Sequence, residues 1–354
     1  MPQEKRQYYC AIDAAKFICA LLVVSNHIIP FGYSDAFIIP NLIVRNYLAR
    51  IAVPFFFVSS GYFYFKSNSY ENYDLSKMKK YISRLLLLYL FWSAIYFPMH
   101  IQSILQDPHG PLVGGLKYLK DLIFIGGHVH LWYLASLISA ILVISIFIYK
   151  RVSITKIFIC SAVLYVIGLL GQGYSFIVSP LKKYEAVWGV VKAMKWLFGT
   201  TRNGVFEGVM LLTLSLILVE KSPKISKNKA LALFILSWIG VGGELLVIKH
   251  FTGVTENDLF IFLLPGVYFM FRWLLMVELP PDGKYRLGRK MSSLIYFTHP
   301  WVKNLVSPVL SRIHGGLQTT PLLFITTLIC CFILSYATIK ISEIKPFGIL
   351  KKIY

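Results

Sequence analysis

Acidic residues are scarce in this chain: Asp and Glu together number 16 against 36 Lys and Arg, a formal net charge of +20 over 354 residues. Charge of either sign is thin, at 15% of residues, where soluble domains carry about a quarter. Cysteine is sparse as well. The five present, Cys10, Cys19, Cys160, Cys330 and Cys331, lie in or beside apolar stretches with no C-x-x-C pair, so they set neither a disulfide framework nor a metal site. No repeat of fixed period is visible. The start of the chain lacks a small-residue cleavage site after a short apolar core, so its first apolar stretch reads as a retained signal anchor.

What fills the chain is apolar. Hydrophobic residues make up 56% and the mean hydropathy is +0.64, above the roughly 45–50% apolar share of soluble domains. The fold expected is an all-α integral membrane protein of about ten spans, forming a single membrane domain over 1–354 with no room for a soluble catalytic domain. Lys and Arg concentrate in alternate loops: Lys5 and Arg6; 66–84; Lys150, Arg151 and Lys156; 221–229; 284–290; and 340–352. By the positive-inside rule these loops and both termini are cytoplasmic. A basic protein invites a nucleic-acid reading, but that footprint is one clustered face. Charges spread over alternate loops fit a bilayer with anionic lipid instead.

The expected spans are 11–30, 46–65, 81–105, 129–149, 154–171, 203–219, 230–250, 258–277, 291–310 and 321–339. Pro98 removes a backbone hydrogen bond and should kink the third. Two outer segments read as interfacial helices: 112–125, closed by Gly126 and Gly127, and 174–200. The second puts Val187, Val190, Val191, Met194, Leu197 and Phe198 on one helical face, with Trp188 and Trp196 as anchors. Gly242, Gly243, Pro265 and Pro300 punctuate later spans, a feature tolerated where protein or cavity water re-satisfies the backbone.

The first span is the informative one, because it carries Asp13, Lys16 and His27. Ionisable groups inside a span are costly and mark function by default. Lys16 and His27 are eleven residues apart, so they share a face to within about 20° and are separated by a rise of about 16 Å. Given alternating span direction, His27, Arg50, His130, Trp132, Arg202, Glu207, Glu244 and His299 all fall in the middle or outer half of their helices. Polar residues from six helices in one leaflet point to a shared water-accessible cavity. His128 and His130 are two apart and diverge on a helix, so no metal site is expected.

A basic residue, ten residues and then histidine in a first membrane helix resembles the signature of the acyltransferase 3 family, with Lys16 where most members have arginine. Arg50-Ile51-Ala52-Val53-Pro54-Phe55-Phe56-Phe57 followed by Ser59-Ser60-Gly61-Tyr62 is similar to the family's second-helix motif. His130-Leu131-Trp132-Tyr133-Leu134 and Ser293-Leu294-Ile295-Tyr296-Phe297-Thr298-His299-Pro300 are similar to later family motifs. Thr201-Arg202-Asn203-Gly204-Val205-Phe206 further resembles the membrane half of VanT-type serine racemases, which couple such a domain to a cytoplasmic racemase.

The resemblance implies a multi-pass protein of the bacterial cytoplasmic membrane. The implied reaction is O-acyl transfer, acetyl above all, from cytoplasmic acyl-CoA to a hydroxyl acceptor such as a cell-surface glycan or other envelope molecule. Acyl-CoA is then a donor and no cofactor is permanently bound. His27 would be the general base, since imidazole titrates near neutrality. Lys16 would hold a CoA phosphate, and Arg50 would stabilise the tetrahedral oxyanion. His130, Trp132, Arg202, Asn203, Glu207, Glu244 and His299 are the expected substrate-binding set. Three alternatives stay open. Lys16 can pair with Asp13 at i, i−3; Arg50 can pair with Glu207 or Glu244 as a structural stitch; Trp132 and Tyr133 can be interfacial belt residues. Broken helices and midplane charges also suit a transporter for a small polar solute such as L-serine, with Glu207, Glu244 and Arg202 clamping the zwitterion.

Overall fold

The computed structural model describes residues 9–32, 35–314 and 321–354, and these are all-helical, without strands. Lys5 and Arg6, the expected cytoplasmic markers, lie outside the described residues. Helix α1, Cys10–His27, is followed by a broken stretch: α2, Ile38–Asn41, a wide π turn over Leu42–Tyr47, a tight 3-10 turn over Leu48–Ile51, and α3, Ala52–Ser67. Pro54 explains the last break, because its missing N–H is the group that would have bonded the Arg50 carbonyl. Arg50 therefore sits where the backbone changes pitch.

Helix α4, Leu75–Tyr96, starts on an Asp74 cap that accepts from the Ser76 N–H at 2.7 Å. It turns by 63° at Pro98 into α5, Pro98–Leu105, which is the kink expected of that proline. The chain returns through α6, Pro111–Phe124, the first expected interfacial piece. Gly126 then adopts φ +117°, and a Cβ there would come within 2.5 Å of the Trp132 Cα. Only glycine makes this turn, which feeds α7, Trp132–Tyr149.

Helix α8, Ile154–Leu170, bends by 80° into α9, Ser175–Val178. Helix α10, Glu185–Phe198, has no buried residue. Trp188, Val191, Met194, Leu197 and Phe198 form its half-buried face. Lys120 of α6 reaches over to α10, its Nζ 5.3 Å from the Trp196 ring centre. A second π turn, Gly204–Gly208, leads into α11, Val209–Glu220. Then come α12, Lys227–Thr252, α13, Leu263–Leu275, α14, Gly283–His314, α15, Pro321–Glu343, and a 3-10 segment, Lys345–Lys352.

Among the described residues five stretches are long and apolar enough to cross a bilayer, and the two bent pairs, each taken as one span, raise the number to seven. The other three expected spans correspond to α11, α13 and α14. Helix α11 has twelve residues, nine of them buried. An element enclosed by other helices does not meet lipid, so neither spanning length nor an apolar outer face is demanded of it.

Helix α1 packs on α14 and α3, and α3 packs on α11. Gly61 makes the last contact close: a Cβ there would lie 2.5 Å from the Ser215 Oγ. That oxygen donates to the Val58 carbonyl at 3.2 Å, as small residues permit between membrane helices. Exposed Ile325, Ile329 and Ile333 on α15, and Ile235, Leu236 and Ile239 on α12, form outer faces that a hydrocarbon solvent would cover.

Candidate functional site

His27 is the last residue of α1, and its side chain lines a cavity of about 40 Å³ together with Arg50, Trp132, Arg202, Glu207 and Asp258. The two irregular turns put the charges there. Arg50 comes from the 3-10 turn before α3, and Glu207 from the π turn before α11. Such bulges recur at functional sites because they re-aim side chains. Asp258 is bracketed by two guanidinium groups: Arg50 donates to its Oδ1 and Arg202 to its Oδ2 at 3.1 Å. Arg202 also lies over the Trp132 ring, its Cζ 4.7 Å from the centre.

Charges remain to be met. The Nε atoms of Arg50 and Arg202 and the Oε2 of Glu207 are buried without a partner, and buried polar atoms normally have one. The residues around His27 thus hold two unused donors and one unused acceptor. At about 40 Å³ the cavity takes a few water molecules at most, so it suits a hydroxyl or a carbonyl rather than a whole sugar.

Behind His27 stand two further imidazoles. The His299 ring is 5.1 Å from that of His27, and His130 is 5.4 Å from His299. Both are fully enclosed. His299 turns Nδ1 to the carbonyls of Ile295 at 3.1 Å and Tyr296 at 2.9 Å, and its Nε2 is unpartnered. Neither ring lines the His27 cavity. They form its wall.

Two expected substrate-binding residues are elsewhere. Glu244 accepts from the Tyr174 hydroxyl at 2.6 Å and from the backbone N–H groups of Ile261 at 2.7 Å and Phe262 at 3.1 Å. Its carboxylate is thus used to satisfy the orphan donors ahead of α13, the usual need at a helix start. Asn203 is an N-cap: its Oδ1 accepts from Val205 at 2.9 Å and Phe206 at 3.1 Å, and its amide donates to the Thr200 carbonyl at 2.9 Å. Among the described residues Arg50 pairs with Asp258 and with neither Glu207 nor Glu244. The partner that both arginines use, Asp258, was absent from the expected set.

On the other side of Asp258 lies a polar cavity of about 290 Å³, with Gln172, Ser175, Thr200, Thr252, Glu256 and Asn257 in its wall. Asp258 lines both cavities. It stands between this vestibule and His27.

At the opposite end of the shared α1 face, Lys16 lines a third cavity, of about 650 Å³. Arg84, Arg289, Lys290 and Lys351 bring four more cations to it. The Asp13–Lys16 pairing that the sequence leaves open is not made. Asp13 lies 3.6 Å from Arg289, and Lys16, free of any ion pair among the described residues, points its Nζ at the Phe63 ring, 4.9 Å from the centre. Tyr296 and Tyr133 also line this cavity. The Tyr296 ring is 6.4 Å from His299, so one imidazole separates the basic cavity from His27 along that line.

The Acyl_transf_3 model, an acyltransferase domain, matches residues 10–339. The chain belongs to the acyltransferase 3 family. Among curated relatives, an amino-acid racemase of Enterococcus faecalis is 29% identical over 299 residues, 83% of this chain and 39% of the relative. A second amino-acid racemase of that organism is 28% identical, covering 94% of this chain and 46% of its own length. A serine/alanine racemase of Enterococcus gallinarum is 28% identical, covering 91% and 45%. The chain spans less than half the length of these relatives. No solved structure matches it. Within this family chain, the paired basic residue and histidine are Lys16 and His27, each facing its own cavity.

Proposed function

We propose that this chain is a membrane O-acyltransferase that moves an acyl group, acetyl in the simplest case, from cytoplasmic acyl-CoA to a hydroxyl acceptor of the cell envelope, such as a surface glycan. The observation that carries this reading is the pair of cavities on one face of α1: a large one at Lys16 whose charged residues are all cationic, and a small polar one at His27. A donor with several phosphates suits the first. A hydroxyl awaiting deprotonation suits the second.

In this mechanism the His27 imidazole takes the acceptor proton as the oxygen attacks the thioester carbonyl. Arg50 or Arg202, through an unpartnered Nε, meets the developing oxyanion. The tetrahedral intermediate expels the CoA thiolate, which takes the proton back from His27. Atoms balance without a further reactant. The donor must then pass the layer formed by Tyr133, Tyr296 and His299, so a rotamer change there is part of the cycle. The direct test is transfer of labelled acetyl from acetyl-CoA to envelope material in membranes that contain the protein; absence of protein-dependent transfer overturns the reading.

A second reading has its own support. The three relatives bear names for amino-acid racemisation, and Arg202, Glu207 and Asp258 could hold a zwitterion at the His27 cavity. Carriage of a small amino acid such as L-serine would appear as uptake into reconstituted vesicles without any acyl-CoA.

The same proposal fixes topology: ten spans, with α11, α13 and α14 completing the seven, in the bacterial cytoplasmic membrane with both termini inside. A cysteine placed at Ser226, before α12, is expected to label only from the cytoplasmic side. One placed at Lys182, before α10, is expected to label from outside. Labelling of both from one side would overturn the ten-span arrangement.

A further inference from the structure

The family model ends at residue 339, but the chain does not leave the domain there. After α15 it turns back through the 3-10 segment Lys345–Lys352 and is fastened immediately beyond it. The Ile353 carbonyl accepts from the Trp92 Nε1 at 3.1 Å, and Trp92 itself stacks on Phe297, with ring centres 5.0 Å apart and planes at 10°. The Tyr354 hydroxyl lies 2.8 Å from the Ser342 Oγ. These contacts set Lys351 and Tyr354 in the wall of the 650 Å³ cavity.

The charge in that wall is one-sided. Of Lys16, Arg84, Arg289, Lys290 and Lys351, only Arg289 has an ion-pair partner among the described residues, Asp13. Converging cations repel one another, and an occupant carrying several negative charges relieves that repulsion. The rest of the wall is uncharged, with Phe56, Leu85, Leu88 and Leu134 beside Ser60 and Ser293. A ligand matched to this cavity has a polyanionic head and a thin, mostly uncharged arm.

We infer that the C-terminal segment 345–354, outside the family domain, is part of the donor site, and that Lys351 contacts a phosphate at the nucleotide end of CoA. This rests on the acyl-CoA reading above. Lys351 is exposed at its outer edge, so it adds affinity and discrimination and takes no part in the chemistry. Lys352 is the matched control, one residue on with the same charge, exposed and outside the cavity wall.

The experiment measures dissociation constants of CoA and of pantetheine by calorimetry, on the full chain in nanodiscs. Lys351→Glu is expected to weaken CoA about tenfold or more, since a charge-assisted contact becomes a repulsion, and to leave pantetheine unchanged. Lys351→Arg is expected to retain CoA binding, and Lys352→Glu to alter it by less than about twofold on an exposed, screened site. Equal weakening by Lys351→Glu and Lys352→Glu would mean that only the general field acts, and the inference fails. It fails also if Lys351→Glu binds CoA like the parent. A parent protein that binds no CoA overturns the donor reading itself, and this inference with it.

Discussion

His27→Ala is expected to lower acyl transfer by about 10²–10⁴, the usual contribution of a general base, with the protein still inserted and monodisperse. The structural reason for expecting a clean effect is that the ring makes few contacts on which the fold depends. His27 ends α1; its backbone carbonyl, not its ring, receives Lys303 at 3.5 Å. Truncation costs the ring contact with His299 and enlarges a cavity that is already polar and able to take water. Chemistry therefore falls much further than stability. Membranes containing the variant, assayed with labelled acetyl-CoA beside the parent and normalised to protein amount, decide the matter. Residual transfer within about threefold of the parent would remove the base role from His27, whatever the cavity geometry suggests.

The second large effect is on the fold. Asp258→Ala is expected to destabilise the protein by about 3 kcal/mol, the low end for breaking a buried pair, because it strands two guanidinium groups at once. The low end is chosen because the Asp258 side chain keeps 26% exposure, while that of Arg50 keeps only 7%. Asp258→Asn should lose less, since an amide oxygen still accepts a hydrogen bond. The measurement is thermal unfolding in detergent, followed by tryptophan fluorescence. An Asp258→Ala protein that melts within about 1 °C of the parent would show that the Arg50–Asp258–Arg202 triad holds nothing together.

Much of the architecture could be read from local pattern. Pro98 broke its helix, Leu112 and its neighbours formed an amphipathic piece, and the face shared by Lys16 and His27 opened to cavities at both ends, because each depends on backbone rules acting within a few turns. Partner choice was not local. The acids that the sequence shows inside apolar stretches, and so offers to Arg50, are Glu207 and Glu244, whereas Asp258 falls at a span boundary. Which acid meets an arginine depends on where the 253–262 loop enters the bundle, and no periodicity encodes that. The same loop explains Glu244: it brings the Ile261 and Phe262 N–H groups inward, where lipid and protein offer no water to satisfy them, so a buried carboxylate is recruited. The role of Asn203 is legible in the sequence. Asn before an apolar helical run is a preferred N-cap, and its side chain does that work.

The thin layer of Tyr296 and His299 between the two cavities also has an electrical meaning. Wherever water reaches into a bilayer from both sides, the membrane voltage no longer falls over the full hydrocarbon thickness of about 30 Å but over the dry remainder. In the proposed orientation that remainder is a few side chains thick. An elementary charge crossing it would meet the whole drop, about 2.3 kcal/mol per 100 mV, whereas an acetyl group, being neutral, meets none. The aromatic layer then serves as an insulator, letting the group being transferred change sides while the phosphates of its carrier, and the ions on either side, stay where they are.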